Sequence, residues 1–257
     1  MKTETKYALL SDFVYSRNGD GTAQNVAFNI PDLISGATLV RNSGSLSSGL
    51  YAEAWSIDGK IVIVFRGTDF NAPDNKDITT DVALALGSPQ NAQLQDAIAF
   101  VEAVKVDQGN NSSNFVFAGH SLGGGLAALM AAKYGKEAYV YAPAPFKATS
   151  DSGGFIPDGL DADSRAILLA GKPTPPLVGG LPDESDPDYQ SALASYYAAK
   201  SVRDAIVNGN YAGIHSYGLD DELLQKYHAD STLVWIAGQF GISHFDSSPD
   251  VSFFDRR

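Results

Sequence analysis

The sequence predicts an α/β fold in which a mainly parallel central sheet is flanked by helices and carries an antiparallel hairpin at one edge. Short apolar runs alternate with helical stretches along the chain, which is typical of parallel strands joined by helices. Asp58-Gly59 separates two apolar runs, and this dipeptide is a strong signal for a tight antiparallel hairpin. The 257 residues contain no internal repeat and no long low-complexity linker. We therefore expect residues 1–257 to form a single domain.

The first half of the chain supplies an N-terminal helix, the hairpin and a second helix. Residues 4–17 have the composition of a first helix, and the runs 50–57 and 61–65 are the two hairpin strands. Residues 69–80 are polar and contain proline, which predicts a loop. Pro89 is expected to open a helix that runs to about Val106, because apolar residues recur there at helical spacing.

The second half of the chain alternates in the same way. We expect a strand at 115–118, an Ala-rich helix at 124–133, a short buried strand at 138–141 and a second Ala-rich helix at 188–208. A further helix at 219–227 and a last strand at 233–237 follow. Between these elements, residues 147–188 are rich in Gly, Pro and Asp, and the pattern loosens. Ala166–Ala170 is the best strand-like run in that stretch.

The motif Gly119-x-Ser121-x-Gly123 joins the strand at 115–118 to the Ala-rich helix after it. A serine hydroxyl is a weak nucleophile at neutral pH and needs a neighbouring base and an exposed position. A sharp strand-to-helix turn exposes it, and the flanking glycines avoid clashes with the strand and the helix. The turn also places the Leu122 N–H at a helix N-terminus, where it is suited to hold an oxyanion. A chance match in a glycine-rich chain is the alternative, but the strand before and the helix after favour the nucleophile of a serine hydrolase.

Two segments together resemble the class 3, or fungal-type, lipases of the α/β-hydrolase fold, in their bacterial branch. One is Tyr51–Thr68, which ends in Phe-Arg-Gly-Thr, and the other is Phe117–Gly124, followed by Tyr-Ala-Pro-Ala-Pro at 141–145. The resemblance implies an α/β-hydrolase fold in which Thr68 supplies the second oxyanion donor through its backbone N–H, while a contribution from its hydroxyl stays open. Arg66 is expected to be structural.

The same resemblance implies a lid after this motif, at residues 69–80. Asp77–Asp81 resembles the family's Asn-Trp-x-x-Asp segment but lacks the tryptophan.

Four histidines compete for the role of general base. His120 adjoins the nucleophile, where neighbouring side chains point apart, and His228 ends an amphipathic helix, where a surface histidine favours the helix dipole. His215 lies in Asn-Tyr-Ala-Gly-Ile-His-Ser-Tyr, which predicts a loop before a helix. Its His-Ser start resembles the catalytic histidine segment of many bacterial class 3 members. His215 is therefore the first candidate, and His244, which directly follows an apparent strand, is the alternative.

The order Ser…Asp…His predicts that the triad acid lies between Ser121 and the histidine, after a central strand at its carboxyl edge. Asp183 is the first aspartate after the strand-like run Ala166–Ala170 and is the candidate acid. A solvated acidic loop over 183–188 is an equal alternative. The aspartates in the interval are Asp151, Asp158, Asp161, Asp163, Asp183, Asp186, Asp188 and Asp204.

Composition excludes several partners. With 18 Lys+Arg against 30 Asp+Glu, the formal net charge is −12, which argues against nucleic acid and against electrostatic docking on anionic membranes. Adsorption to a neutral oil–water interface remains open, because it depends on apolar surface. The chain has no cysteine. Its His, Asp and Glu spacings match no metal site, and Asp158-x-x-Asp161-x-Asp163 lacks calcium-loop spacing. We therefore expect no cofactor and no metal.

The N-terminal residues Met-Lys-Thr-Glu-Thr-Lys-Tyr lack the apolar core of a signal peptide, and no apolar run reaches the roughly 18 residues that a membrane span needs. We expect no transmembrane segment, and we favour secretion by a leaderless route over a cytoplasmic location.

Together, the residues and the resemblance predict a hydrolase that cleaves carboxylic esters through an acyl-enzyme on Ser121, with acylglycerol lipids as the implied substrates. The alternatives are a phospholipase, a short-chain carboxylesterase, an acyltransferase and an inactive binding module.

Overall fold

A six-stranded sheet lies at the centre of the computed structural model, which describes residues 1–16, 30–67, 91–152 and 154–218. Its strands are β1 (Thr38–Asn42), β2 (Ala52–Ile57), β3 (Lys60–Phe65), β4 (Phe115–His120), β5 (Glu137–Tyr141) and β8 (Ile214–Tyr217). They lie in the order β1-β2-β3-β4-β5-β8. The first three are antiparallel and β3, β4, β5 and β8 are parallel, which confirms the predicted mainly parallel sheet with an antiparallel edge hairpin.

Helices connect the strands and cover the sheet. They are α1 (Thr3–Phe13), α2 (Ile30–Leu33), α3 (Ala92–Asp107), α4 (Leu122–Tyr134), α5 (Lys147–Ser150), α6 (Ala162–Ala170) and α7 (Pro187–Asn210). Short 3₁₀ turns follow α1 at Val14–Ser16 and α7 at Tyr211–Gly213, and a separate ribbon is formed by β6 (Leu177–Val178) and β7 (Leu181–Pro182).

The central parallel strands β3 and β4 are buried on both faces, which is why they are apolar almost throughout. In β3, Ile61 and Ile63 belong to the core that includes α3 and α4, whereas Val62 and Val64 belong to the core that includes α1. Alternate side chains of one strand therefore serve two cores.

The hairpin between β2 and β3 has the predicted turn. Asp58 and Gly59 have φ angles of 50° and 76°, the positive pair that a type I′ turn requires, and Ile57 pairs with Lys60 across it. The chain therefore enters the parallel part of the sheet along β3.

Two predicted helix and strand assignments change. Helix α3 begins at Ala92, because the Asn91 side chain accepts hydrogen bonds from the N–H groups of Gln93 and Leu94 and so caps the helix there; Pro89 lies outside the described residues. The strand predicted over Ala166–Ala170 is wrong.

That run forms most of α6 instead. The Asp161 carboxylate caps the helix by accepting from the Ser164 N–H at 2.8 Å, and Gly171, with φ 83°, ends it. Leu168 is buried and Leu169 is exposed, so the run contacts a core on one side only. The assumption that Asp183 follows a central strand therefore fails.

The predicted loop at 69–80, the Asp77–Asp81 segment, the helix at 219–227 and the strand at 233–237 lie outside the described residues. Of the helices that are described, none combines the length and apolarity needed to cross a membrane.

Candidate active site

Ser121 occupies a strained turn between β4 and α4. Its φ and ψ are 54° and −126°, a conformation that non-glycine residues rarely adopt and that costs on the order of 1–3 kcal/mol. It is the N-cap residue of α4, yet its side chain makes no capping hydrogen bond, so the hydroxyl is not used to hold the helix. The turn has the geometry of a nucleophile elbow.

Backbone hydrogen bonds hold this turn on both sides. The Ser121 N–H donates to the Tyr141 carbonyl at the end of β5, at 3.0 Å. The Ser121 carbonyl accepts from the N–H groups of Ala144 at 2.8 Å and Gly125 at 3.0 Å. The strained conformation is therefore fixed by the neighbouring strand, the segment after it and the helix.

The flanking glycines are sterically required. A Cβ on Gly119 would lie 2.3 Å from the Gly123 carbonyl oxygen, and one on Gly123 would lie 2.1 Å from the Phe65 carbonyl oxygen. Both distances are shorter than real Cβ contacts, and both neighbours are backbone atoms that cannot turn away. Gly-x-Ser-x-Gly is thus a packing requirement where β4, β3 and α4 meet.

Leu122 is the first residue of α4 and directly follows the serine. The first N–H groups of a helix have no partner within it and carry the positive end of its dipole. The assignment of the Leu122 N–H to the oxyanion hole remains a prediction, and its position in the helix is the one that role requires.

The segment after β3 approaches the elbow from the neighbouring strand. Phe65, the last residue of β3, pairs with Gly119 of β4. The Arg66 N–H donates to the Tyr51 carbonyl at 2.9 Å, and the Arg66 guanidinium lies 4.8 Å from the centre of the Tyr51 ring. These contacts support the structural role expected for Arg66. Thr68 and the lid candidate at 69–80 lie outside the described residues.

A buried carboxylate supports the same segment. Glu53 is fully buried and accepts hydrogen bonds from the Tyr51 hydroxyl at 2.7 Å and from the Trp55 ring N–H at 2.8 Å. The Tyr51 ring therefore lies between the Arg66 cation and this carboxylate.

His120 has a structural partner. Its Nδ1 lies 3.1 Å from the Tyr15 hydroxyl, and the two rings meet edge to face at 5.8 Å. The side chain thus points to the face of the sheet that α1 covers, as expected for a residue adjacent to the nucleophile.

His215 lies within β8 and not in a loop before a helix. It pairs with Tyr139 in the parallel register, and their ring centres are 4.6 Å apart. In the same register, His120, the residue before the serine, aligns with Tyr141, and Tyr141 aligns with Tyr217. His215 is therefore two strands across from Ser121 and three residues back along the sheet, a Cα separation of roughly 14 Å from standard strand spacings.

An imidazole at that position does not reach the serine hydroxyl for a direct hydrogen bond, so the described arrangement does not bring His215 and Ser121 together. His228 and His244 lie outside the described residues.

Asp183 directly follows β7 of the β6–β7 ribbon, which is separate from the central sheet. Its carboxylate is exposed and accepts from the Ser185 hydroxyl at 2.6 Å and the Ser185 N–H at 3.0 Å. These two hydrogen bonds hold the pKa of Asp183 below its ordinary value. Such a local turn is what the solvated-loop alternative predicts.

Most other aspartates of the interval also have structural partners. Asp151 contacts Lys147 and Tyr211, Asp158 contacts Lys133, Asp161 caps α6, Asp186 caps α7, and Asp204 contacts Lys200 and Arg203.

The sheet topology indicates which strand end a triad acid would follow. After β5, the next parallel strand is β8, which ends at Tyr217. The first acidic residues after it in the sequence are Asp220 and Asp221, which lie outside the described residues. The sequence predicts a loop and not a strand over Ile214–Tyr217, so its candidate acids do not include these two residues. A strand there could have been inferred from the long helix before it, since a helix that follows one parallel strand leads back to another.

Known proteins are similar in sequence to part of this chain. The Tle-like phospholipase domain, a phospholipase-like family, matches residues 6–150. The extracellular phospholipase A1 of Serratia liquefaciens is 34% identical over 134 residues, which are 52% of this chain and 40% of that protein. The chain thus spans less than half the length of this relative.

Fungal lipases are among the solved structures that resemble the chain. A lipase from Rhizopus microsporus var. chinensis matches with a TM-score of 0.43 and 19% identity, over 55% of this chain and 57% of that one. Lipase II from Rhizopus niveus matches with a TM-score of 0.42 and 18% identity, over 55% of this chain and 62% of that one.

The family match covers more than half of the 257 residues and includes the hairpin, the elbow serine and β5. This chain therefore belongs to the Tle-like phospholipase domain family.

Proposed function

We propose that this protein hydrolyses carboxylic esters of lipids through an acyl-enzyme on Ser121. The observation that carries the proposal is the elbow itself, a serine held at φ 54° between a central parallel strand and a buried helix. Strain of this size persists only where the surroundings impose it, and such strain clusters at functional sites. Membership in a phospholipase domain family and similarity to a phospholipase A1 support lipids as the substrate class.

The reaction proceeds in two halves. The Ser121 hydroxyl attacks the ester carbonyl, a histidine takes its proton, and the N–H groups of Leu122 and Thr68 hold the oxyanion. The histidine then gives the proton to the departing alcohol, which leaves an acyl-serine ester. Water attacks that ester with the same histidine as base, and the fatty acid and the free serine result. An aspartate orients the imidazole and stabilises its charged form.

The base in this proposal is His215 or His244. The strand register supports His244, since His215 is about 14 Å from Ser121 along the sheet. With His244 as the base, the order Ser…Asp…His also admits Asp220 and Asp221, which follow β8 in sequence. Asp183 remains the candidate if the base is His215.

Removal of the nucleophile tests the proposal. Ser121→Ala should lower the turnover of p-nitrophenyl esters by roughly a million-fold, as for other triad serines, without changing the circular dichroism spectrum. Ser113→Ala, at an exposed turn before β4, is the matched control and should keep parental turnover. Ser121→Ala activity within tenfold of the parent, or no labelling of Ser121 by a fluorophosphonate, would contradict the assignment and favour a binding module.

The substrate alternatives separate by product analysis. Fatty acid released from phosphatidylcholine in preference to triacylglycerol would identify a phospholipase. Preference for dissolved over emulsified esters would identify a short-chain esterase. Ester products formed with an added alcohol would identify an acyltransferase. We expect full activity after treatment with a chelator, in line with the absence of a metal pattern in the sequence.

An exposed apolar ribbon supports contact with a lipid surface. In the β6–β7 ribbon, Leu177, Val178 and Leu181 are 69%, 64% and 72% exposed. Leu177 pairs with Pro182 and Val178 with Leu181, so both faces of the ribbon are apolar. A flat protein surface covers one face of a ribbon, whereas a fluid lipid phase contacts both. The acidic residues that follow at 183–188 favour a neutral or zwitterionic surface over an anionic one.

Vesicle sedimentation tests this surface. In a Ser121→Ala background, Leu181→Asp should weaken binding to phosphatidylcholine vesicles about tenfold or more, because it places a charge in the apolar tip. Leu169→Asp, on α6 at 69% exposure, is the matched control and should leave binding unchanged. Equal effects of the two variants would remove the ribbon from the proposal.

The relative from Serratia is named as an extracellular enzyme, which supports an extracellular place of action. The leaderless route stays a prediction, and recovery of the enzyme from culture medium without N-terminal cleavage would test it.

A further inference from the structure

Tyr15 connects the two strand ends that meet at the elbow. It lies in the 3₁₀ turn after α1, and its hydroxyl accepts a hydrogen bond from the Gly67 N–H at 3.1 Å. The same hydroxyl lies 3.1 Å from Nδ1 of His120 and donates to the His120 carbonyl at 3.3 Å. Gly67 leads into Thr68, and His120 leads into Ser121. One hydroxyl therefore joins the segment that bears the proposed oxyanion donor to the segment that bears the nucleophile.

The hydrogen-bonding capacity of a phenol matches these contacts. The hydroxyl has one proton and two lone pairs. A lone pair accepts from the Gly67 N–H, the proton is within reach of the His120 carbonyl, and the tautomer of His120 sets whether Nδ1 donates or accepts.

The fit at Gly67 is as tight as at the elbow glycines. A Cβ on Gly67 would lie 2.2 Å from the Tyr15 hydroxyl and 2.7 Å from the His120 carbonyl oxygen. The backbone after β3 thus approaches the elbow closely, with the tyrosine hydroxyl between them. A displaced Gly67 would move the segment after β3 relative to Ser121.

We propose that Tyr15 is a positioning residue of the active site, whose hydroxyl holds the Gly67 N–H, in the segment after β3, against the His120 carbonyl that directly precedes Ser121. Thr68, the proposed oxyanion donor, follows Gly67 in the sequence. The inference rests on the proposed function and adds a residue to it, since Tyr15 does not contact the reacting atoms in this scheme. An oxyanion donor stabilises charge that exists only in the transition state, so a misplaced donor lowers turnover more than it weakens substrate binding.

The direct test is Tyr15→Phe, which keeps the ring against His120 and removes the hydroxyl. With a dissolved p-nitrophenyl ester, kcat should fall about 10- to 100-fold, a part of the 10²–10³-fold loss typical of deleting an oxyanion donor. KM should stay within about threefold of the parent. Tyr7→Phe is the matched control, because Tyr7 is a buried tyrosine of the neighbouring α1 whose ring packs on Tyr139, and its kcat should stay within about twofold of the parent. A Tyr15→Phe enzyme with parental kcat, or with a loss confined to KM, would overturn the proposal.

A second variant perturbs the same contact by changing Gly67 instead of Tyr15. Gly67→Ala adds the methyl group that meets the hydroxyl, so it should lower kcat as Tyr15→Phe does while Tyr15 itself remains. Both changes disturb the same junction of Gly67, the Tyr15 hydroxyl and the His120 carbonyl, so the double variant should lose less kcat than the product of the two single losses. Parental turnover in Gly67→Ala, or fully additive losses, would contradict the inference.

Amide hydrogen exchange separates this inference from the proposed function. Tyr15→Phe should speed exchange of the Gly67 N–H about tenfold or more, and Tyr7→Phe should not, whether or not the protein hydrolyses esters. Unchanged protection of Gly67 would overturn the inference while Ser121-dependent hydrolysis stands. Faster exchange in a protein without Ser121-dependent hydrolysis would retain the contact but reject both the proposed function and the oxyanion role of Tyr15.

Discussion

At the scale of single residues, the site is determined by close backbone approach more than by polar contacts. Gly119 and Gly123 are required because β3, β4 and α4 meet within Cβ distance of one another. This requirement is local and regular, so the Gly-x-Ser-x-Gly spacing predicted the strained turn from sequence alone. The Tyr15 hydroxyl contacts Gly67, 52 positions away in the sequence, and His120, 105 positions away, so no local sequence pattern predicts these contacts.

Two glycine substitutions should have opposite effects. Gly119→Ala should abolish ester hydrolysis and lower the melting temperature, because its Cβ would lie 2.3 Å from a backbone oxygen. Gly209→Ala, near the end of α7 with open space around it, should stabilise the fold by roughly 0.5–1 kcal/mol through helix propensity. Calorimetry and p-nitrophenyl ester turnover on both variants would check this. A stable, active Gly119→Ala enzyme would show that the elbow is less tightly packed than the distances indicate.

The identity of the base is also a question about single residues. If His244 is the base, His244→Ala should lose nearly as much turnover as Ser121→Ala, because triad members act as a unit. His215→Ala should then keep most of its activity, since His215 lies within β8 with its ring against Tyr139. Turnover of a p-nitrophenyl ester by both variants decides between them. The reverse result would restore His215 and require β8 to move relative to β4 in the active enzyme.

At the scale of elements, sequence patterns located the hairpin and the elements from α3 to β5, and also α7, but not β1, the stretch between β5 and α7, or β8. The hairpin, β4, α4, β5 and α7 were predicted because each has a clear apolar period or a turn signal. The run Ala166–Ala170 failed because five apolar or small residues fit a buried strand and a one-sided helix equally well. The N-cap Asp161 and the C-terminal Gly171 favour the helix.

Arg203 shows how that stretch is held together. This arginine of α7 is 1% exposed and donates to the carbonyls of Asp151 and Phe155 at 3.0 Å each, and also to those of Ser150 and Ser152. A planar guanidinium satisfies several carbonyls that an ammonium group cannot reach together.

Arg203→Lys should therefore destabilise the fold by about 3 kcal/mol, from roughly two lost hydrogen bonds to a charged group. Arg165→Lys, on α6 and partly exposed, is the matched control and should change the unfolding free energy by about 0.5 kcal/mol or less. Urea unfolding of both variants measures the difference. A small effect of Arg203→Lys would mean that water replaces the guanidinium.

At the scale of the whole molecule, strand order decides what the sequence left open. The sequence pattern predicts a central strand at 166–170 and hence an acid after it, whereas the strand next to β5 is β8, far later in the chain. Which distant segments become neighbours depends on the sum of many packing contacts, and no single motif reports it. The nucleophile comes from one continuous motif and was found, whereas the base and the acid depend on topology.

The buried tyrosines predict how the whole fold responds to alkaline pH. Burial, with a smaller contribution from Tyr139, raises the pKa of Tyr7 to about 12, and burial raises the pKa of Tyr141 well above its ordinary value of 10.0. In the unfolded chain these phenols ionise near pH 10, while in the folded protein they stay neutral. The unfolded state thus loses protons first, so stability is fully present below about pH 10 and falls as the pH rises towards 12.

Urea unfolding midpoints at pH 8.5 and pH 11 test this response. The midpoint should be clearly lower at pH 11, and part of the tyrosinate absorbance at 295 nm should appear only on unfolding. Tyr141→Phe removes one of the contributing phenols and its hydrogen bond to the Glu4 carbonyl. It should therefore be less stable at pH 8.5, by about 1 kcal/mol, and should show a smaller decline between the two pH values. If all 12 tyrosines ionise near pH 10 in the folded protein, the aromatic face between α1 and the sheet is open to water, and the packing of α1 that holds Tyr15 at the elbow is looser than these contacts indicate.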